Sequence, residues 1–188
     1  MSARAVAAES THRRILDAAR ARFMSAPYEE VTLAEVAADA GVTAQTVLNR
    51  FGSKENLLVE GAADFAVEID ALRATARRGD VRSAVRVVLR QYEMMGDATI
   101  RLLEQEQRLP AVAEVCRMGR EHHRRSLEDL FGDQLPVEAG ARRSALNALQ
   151  AAADVYVWKL LRRDLGVSLA ETARVMERLI RGALAPPE

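Results

Sequence analysis

The sequence predicts an all-α protein. Of its 188 residues, 49% are hydrophobic and only 4% are aromatic, and glycine and proline are scarce, with 10 and 5 residues. Apolar residues recur at spacings of three and four along most of the chain, which is the period of an amphipathic helix. No segment carries the alternating pattern of a defensible β-strand. We therefore expect helices joined by short connections.

The first helix is predicted over residues 12–24. Its inner face is marked by a residue at every fourth position, namely Ile15, Ala19 and Phe23. Residues 1–9 precede it and are interpreted as a flexible arm that carries Arg4.

The segment from Thr32 to Phe51 predicts a helix-turn-helix. Thr32 and Glu35 form a T-x-x-E capping box that starts one short helix. Gly41 stands where a helix C-terminus often needs a left-handed residue, and Thr43 is placed to cap a second helix. The residues expected inside are Leu33, Val36, Ala37, Ala40, Val42, Val47 and Phe51. The residues left outside, where polar groups can reach base edges of DNA, are Gln45, Thr46 and Asn49.

An αα-hairpin inside an ordinary helical domain would carry the same signals. The flanking residues favour DNA binding, because a helix precedes the segment and F-G-S-K-E-N-L-L follows it, with Ser53 placed to cap a further helix. This arrangement closely resembles the N-terminal domain of the TetR (tetracycline-repressor-like) transcriptional regulators over about residues 9–69. The remainder resembles that family only in length and helical character.

The resemblance implies a three-helix DNA-binding domain over residues 9–55, extending to about 69 with the start of the next helix. It implies a helical effector-binding and dimerisation domain over residues 56–188. By the same likeness, Thr32 and Lys54 contact phosphates and residues 43–49 face bases. The DNA-binding set is Thr32, Thr43, Ala44, Gln45, Thr46, Leu48, Asn49, Arg50 and Lys54.

Two positions depart from the family pattern. Leu48 stands where a phosphate-contacting tyrosine is customary, and the planar guanidinium of Arg50 can partly substitute for it. Ala44 stands where the family often has Lys, Arg or Pro, and it can at best touch a thymine methyl.

Charge gives no independent sign of a nucleic-acid partner. The chain has 27 basic and 27 acidic residues, and residues 1–60 hold seven basic side chains against eight acidic ones. DNA binding would therefore depend on where the basic side chains lie and not on the net charge. The basic side chains expected towards DNA are Arg4, Arg13, Arg14, Arg50 and Lys54, and helix N-termini at Thr32, Thr43 and Ser53 add anion-binding amides.

Further helices are predicted after Ser53, over about residues 54–77, 81–95, 98–108, 111–131 and 138–165, and from Ser168 towards Ala183. Gly79-Asp80 and Gly96-Asp97 are interpreted as breaks. Ser168 with Glu171 is a second capping box, and Pro186-Pro187 stops the last helix.

The last two helices carry more apolar surface than one domain core uses easily, with Ala148 and Ala151 beside large residues such as Leu149. We infer an isologous homodimer through a four-helix bundle in which Leu149 is buried. In the alternative, both helices are simply buried in a monomer. The two equivalent DNA-binding domains of such a dimer would bind an inverted repeat in double-stranded DNA.

A small-molecule effector would need a cavity among the middle helices. The candidate lining residues are Tyr92, Met95, Cys116, Tyr156 and Trp158; core packing is the alternative for most of them. No metal is expected, because His122 and His123 point about 100° apart on a helix and lack the spacing of structural zinc ligands. No cofactor is expected either.

The expected function is that of a DNA-binding transcriptional regulator, and the resemblance implies a repressor released by a small-molecule effector. A helical protein-binding adaptor is the alternative. An enzyme is disfavoured because the sequence has no E-x-x-H pair, glycine-rich phosphate loop or serine elbow. A single cysteine and the lack of an apolar run near the ~20 residues of a membrane span favour the cytoplasm and no membrane partner.

Overall fold

A computed structural model describes the backbone of residues 3–185 and the side chains of residues 5–185. Within that range the chain is helical and contains no strand, as predicted. The helices are α1 (Ala3–Ser25), α2 (Leu33–Asp39), α3 (Ala44–Phe51), α4 (Lys54–Arg73), α5 (Val81–Gln105), α6 (Pro110–Phe131), α7 (Ala139–Ala152), α8 (Val155–Lys159) and α9 (Leu169–Leu184). None of these described helices is long and apolar enough to cross a membrane.

The chain divides into two compact units. The first comprises Met1–Glu68 and Arg101–Arg117. Helix α2 packs against both α1 and α3 in this unit, and side chains of all three helices enclose one apolar core. The most deeply buried members of that core are Ile15, Ala19, Val36, Val47, Leu57 and Val112.

The second unit comprises Ile69–Ile100 and Met118–Glu188. Helices α7 and α9 pack closely against each other in it. Its largest fully buried side chains are Trp158, Phe131, Leu127, Leu149, Met176 and Ile180. Leu149 is 0% exposed within a single chain. The predicted burial of Leu149 is thus confirmed, and it does not depend on a partner subunit.

The N-terminal arm prediction was also wrong where it can be checked, since residues 3–9 form the first turns of α1. Alanine is the strongest helix former, and this stretch is rich in it. The side chain of Arg4 lies outside the described residues, as do Pro186 and Pro187.

The predicted break at Gly96-Asp97 does not exist, because α5 runs unbroken from Val81 to Gln105. Gly96 is instead a point of close packing. A Cβ atom built there would lie 2.4–2.9 Å from ring atoms of Trp158, so the glycine makes room for the indole. By contrast, the predicted break at Gly79 exists. It lies between the end of α4 at Arg73 and the start of α5 at Val81, and Gly79 has φ of 71°.

The single long helix predicted over residues 138–165 is interrupted at Ala153. Asp154 caps a new helix by accepting from the Tyr156 amide at 2.9 Å. The Tyr92 hydroxyl donates to the Ala153 carbonyl at 2.9 Å, and so satisfies an acceptor near the end of α7. A π-helical turn, Leu160–Asp164, follows α8.

Candidate nucleic-acid interface

The start of α2 is fixed by the predicted capping box. The Glu35 amide donates to the Thr32 hydroxyl at 3.2 Å, and the Thr32 amide donates to the Glu35 carboxylate at 2.9 Å. The Thr32 hydroxyl also donates to that carboxylate at 2.7 Å. These bonds, above all the one from the Thr32 side chain, lower the pKa of Glu35. Thr32 was expected to contact phosphate, and its amide and its hydroxyl are both engaged within the cap.

The turn between α2 and α3 is a Schellman motif. Gly41 has φ of 64°, its amide donates to the Ala38 carbonyl at 3.1 Å, and the Val42 amide donates to the Ala37 carbonyl at 2.9 Å. This pair of bonds closes a helix C-terminus around a left-handed residue. The crossing of the two helices is therefore set by backbone hydrogen bonds that need glycine at position 41.

Helix α3 has one buried face and one exposed face. Thr43 caps it, accepting from the Thr46 amide at 3.2 Å. Val47 and Phe51 are buried in the core of the first unit, as predicted. The exposed residues are Gln45, Leu48, Asn49 and Arg50, while Thr46 and Ala44 are half-buried, and Ala44 packs against the core.

Polar groups on the exposed face of α3 form a linked set. The Gln45 side-chain amide donates to the Asn49 side-chain oxygen at 2.8 Å. The hydroxyls of Thr43 and Thr46 lie 2.9 Å apart. Thr46, Asn49 and Arg50 line a shallow concavity. This face can both donate and accept hydrogen bonds, as readout of base edges requires.

Lys54 begins α4, next to the cap at Ser53, whose hydroxyl accepts from the Asn56 amide at 3.1 Å. Its ammonium lies 4.1 Å from the centre of the Tyr28 ring and 3.5 Å from the Glu29 carbonyl. Partial burial lowers the pKa of Lys54. The Lys54 ammonium is thus held over an aromatic face rather than extended freely into solvent.

Tyr28 is the residue that the sequence pattern missed. It lies in a single 3₁₀ turn, Tyr28–Glu30, where no helical period identifies a buried side. Its hydroxyl donates to Glu55 at 3.1 Å, and burial, followed by this carboxylate, raises the pKa of Tyr28. Tyr28 therefore links the turn after α1 to the first turn of α4.

Ion pairs occupy several basic residues of the first unit. Arg13 lies 2.6 Å from Asp64, Arg20 lies 2.5 Å from Glu68, and Arg22 lies 2.5 Å from Asp39. Arg13 was expected towards DNA, and here its guanidinium neutralises a carboxylate of α4. Acids of α2 and α4 thus neutralise three arginines of α1, which are engaged within the unit.

The five residues proposed to line an effector cavity do not come together. Tyr92 and Trp158 are buried in the second unit with ring centres 6.0 Å apart, and Met95 lies on the same helix as Tyr92. Tyr156 is exposed. Cys116 is buried in the core of the first unit.

A capped helix, a Schellman turn and a second helix with an exposed polar face make up a helix-turn-helix, the reading element of a large class of DNA-binding regulators. Comparison with known sequences gives the same result, since residues 15–60 match the bacterial regulatory proteins of the tetR family. No curated protein matches the sequence of the chain.

Solved structures share the fold over nearly the whole chain. A transcriptional regulator from Rhodococcus sp. Rha1 is 18% identical with a TM-score of 0.69, over 93% of this chain and 98% of that one. The fatty acid degradation regulator FadR from Bacillus halodurans is 18% identical with a TM-score of 0.63, over 89% and 93%. Thermus thermophilus FadR, a TetR-family transcriptional repressor in complex with lauroyl-CoA, is 20% identical with a TM-score of 0.53, over 94% and 96%.

The class defined by fold and site is therefore that of helical DNA-binding regulators. Residues 15–60 match the DNA-binding domain of the bacterial tetR-family regulatory proteins, and the chain shares the fold of solved TetR-family regulators. The proteins of this family are DNA-binding regulators and not enzymes.

Proposed function

We propose that the protein is a homodimeric repressor that binds an inverted-repeat operator through α3 and leaves it when a small molecule binds. The observation that carries the DNA half of this proposal is the exposed polar face of α3 on a buried, capped scaffold. The proposed location is the cytoplasm, where a regulator of this kind meets the chromosome.

Gln45 and Asn49 are the proposed base-reading pair. Because one N–H of the Gln45 amide donates to the Asn49 oxygen, the Gln45 oxygen and the Asn49 NH2 group keep their full capacity for DNA. They supply an acceptor and a donor, which match the N6 donor and N7 acceptor that adenine presents in the major groove. Their hydrogen bond also fixes both side chains before DNA arrives, which reduces the entropy lost on binding.

Phosphate contacts are proposed for Thr32, Arg50 and Lys54, and for the N-terminus of α3, where the first backbone amides of a helix attract anions. Leu48 is 39% exposed and can supply only an apolar contact. Ala44 is proposed to touch no more than a thymine methyl.

The second unit is proposed to bind the effector and to form the dimer. The complex of Thermus thermophilus FadR with lauroyl-CoA supports a small-molecule effector in a protein of this fold. For the dimer, the support is the set of exposed apolar side chains carried by or flanking the last helices, namely Tyr156, Leu160, Leu165, Leu169 and Leu179.

The test is retention and sequencing of genomic DNA fragments from the source organism, followed by binding to the retained site and to random DNA. Gln45→Ala or Asn49→Ala should weaken specific binding by about 1–3 kcal/mol and leave random DNA nearly unaffected. Gln107→Ala, an exposed glutamine outside α3, is the matched control. Equal losses on both DNAs would show that the pair contacts only the backbone.

A helical protein-binding adaptor remains the second candidate function. It is distinguished by salt, because DNA binding must weaken steeply as salt rises and an adaptor shows no such binding.

A further inference from the structure

The second unit buries an arginine that forms no ion pair with any acid in the part of the chain that the structure describes. Arg73, the last residue of α4, is 9% exposed. Its Nε donates to the Gln91 side-chain oxygen at 3.0 Å, and its Nη2 lies 3.5 Å from Nδ1 of His123. These contacts are with neutral groups, and Asp70 acts on the Arg73 charge without a hydrogen bond or ion pair to it.

Two polar atoms of this cluster have no hydrogen-bond partner among the described residues, namely Nη1 of Arg73 and Nε2 of His123. Because Arg73 can only donate, Nδ1 of His123 has to accept, and the ring proton of the neutral imidazole then lies on Nε2. His123 is 7% exposed, and burial, followed by the charge of Arg73, lowers its pKa to about 3. Both unpartnered atoms are therefore buried donors.

The neighbouring acid does not resolve this arrangement. Asp70 lies one turn before Arg73, but its carboxylate is paired with Nε2 of His122 at 2.5 Å on the exposed side. His122 and His123 thus point to different partners. An unpaired guanidinium in a protein interior is strongly unfavourable, and an anion with two acceptor oxygens relieves it.

We propose that Arg73 and His123 form the binding site for the carboxylate of a small molecule with an apolar body, with one carboxylate oxygen on Nη1 of Arg73 and the other on Nε2 of His123. This inference rests on the proposed effector function and names the chemical class of the effector. Neither residue belongs to the set Tyr92, Met95, Cys116, Tyr156 and Trp158 that the sequence singled out.

The apolar body is inferred from the residues one turn away on the same helix faces. Ile69 precedes Arg73 by four positions, Val88 precedes Gln91 by three, and Leu127 follows His123 by four. All three side chains are buried. A monocarboxylate with an aliphatic or aromatic body therefore fits these surroundings better than a polyanion.

The experiment measures binding of octanoate, benzoate and phenylacetate to the full-length protein by calorimetry, each beside its methyl ester and its amide. At least one acid should bind about tenfold or more tightly than its ester, because hydrogen bonds to charged groups are the strong ones. Arg73→Met should abolish that preference, whereas Arg90→Met, which removes an exposed arginine of α5, should retain it.

Arg73→Met should also raise the melting temperature of the free protein, because it removes an unpaired buried charge without leaving a large void. A lower melting temperature together with equal binding of acid and ester would assign Arg73 a structural role and overturn the proposal. If the variant does not fold, the acid-to-ester ratio of the wild type decides alone. Absence of binding up to the millimolar range also overturns it.

The same samples separate this inference from the proposed function. Retention of genomic DNA by the free protein tests regulation without any ligand. Release of that DNA by an ester or an amide but not by an acid would leave an effector-controlled regulator and refute the carboxylate site. Binding of an acid by a protein that retains no genomic DNA would support the carboxylate site and refute the proposed regulation of DNA.

Discussion

Lys54 is a single side chain whose contacts can be separated by experiment. Its ammonium lies over the Tyr28 ring and at the N-terminus of α4, where a phosphate would also be attracted. Lys54→Ala should weaken binding to every DNA sequence alike and lower the slope of log affinity against log salt by about one unit. Folding should change little, since a partly buried cation–π contact is worth about 0.5–2 kcal/mol.

The comparison for Lys54 is Arg90→Ala, an exposed charge change on α5 that should leave the slope as it is. Equal slopes for Lys54→Ala and the wild type, with intact helicity by circular dichroism, would place Lys54 away from DNA.

His123 gives a pH dependence of stability with a definite sign. Its folded pKa is about 3 against about 6.5 unfolded, so between these values the unfolded chain holds a proton that the folded chain does not. Stability contributed by neutral His123 is full above pH 6.5 and is lost as pH falls towards 3. The loss is at most about 1.4 kcal/mol per pH unit.

Urea unfolding between pH 7 and pH 5 measures this loss above the range in which most carboxylates titrate. His123→Gln, which cannot take up the proton, should have a flatter profile there. Superimposable slopes for the two proteins would contradict the burial of a neutral imidazole.

Individual residues show how far sequence reasoning reaches. Val47 and Phe51 were predicted inside and Gln45 and Asn49 outside, because helical period alone assigns those faces. The ring of Tyr28 under Lys54 was not predictable, since the two residues lie on separate elements joined only by the fold. Arg73 was missed for the same reason, because nothing local marks an arginine as buried.

At the scale of elements, the reliable signals were those contained within a few residues. The cap at Thr32, the left-handed Gly41 and the cap at Ser168 each involve bonds to neighbours three or four positions away, and each was predicted. Gly96 was misinterpreted because its role depends on Trp158, more than sixty positions away. The break at Ala153 likewise depends on the distant hydroxyl of Tyr92.

Gly96 and Gly119 form a matched pair of helix glycines. A methyl group at Gly96 meets the fully buried Trp158 ring, whereas one at Gly119 meets nothing within 4 Å. Gly96→Ala should therefore destabilise the protein by about 1–3 kcal/mol through overpacking. Gly119→Ala should stabilise it by about 0.5–1 kcal/mol through helix propensity.

Thermal or urea unfolding of both glycine variants measures the difference in sign. Because Trp158 is the single tryptophan, its fluorescence also reports directly on the packing at Gly96. An unchanged emission spectrum and stability in Gly96→Ala would mean that the indole has room to move.

At the scale of the whole molecule, an all-helical chain was predictable from periodicity, but its division into units was not. The segment Arg101–Arg117 belongs with the N-terminal unit, because Val112 and Cys116 complete an apolar core whose other members lie before residue 59. The helical period predicts that Val112 is buried, but it does not predict in which of the two cores Val112 packs. The same limit applies to Leu149, whose burial was predicted correctly and is already complete within a single chain.

The dimer has to be tested on a side chain that the single chain leaves exposed. Leu179 on α9 is 44% exposed, so a charge there disturbs the protomer little. If α7 and α9 form the subunit interface, Leu179→Glu buries two like charges across a two-fold axis and should yield a monomer by light scattering. Two DNA-binding domains that are no longer held in one dimer bind the half-sites independently. Operator affinity should therefore fall about 100-fold or more, although α2 and α3 are unchanged.

Val137→Glu is the control for this test, because Val137 is an exposed apolar residue of the second unit outside the last helices. It should remain dimeric and protect both half-sites in footprinting at the wild-type concentration. If the Leu179→Glu variant is monomeric and still protects both half-sites, operator binding does not depend on dimerisation. A monomeric wild type would refute the dimer itself, because the inverted-repeat operator follows only from two equivalent heads related by a two-fold axis.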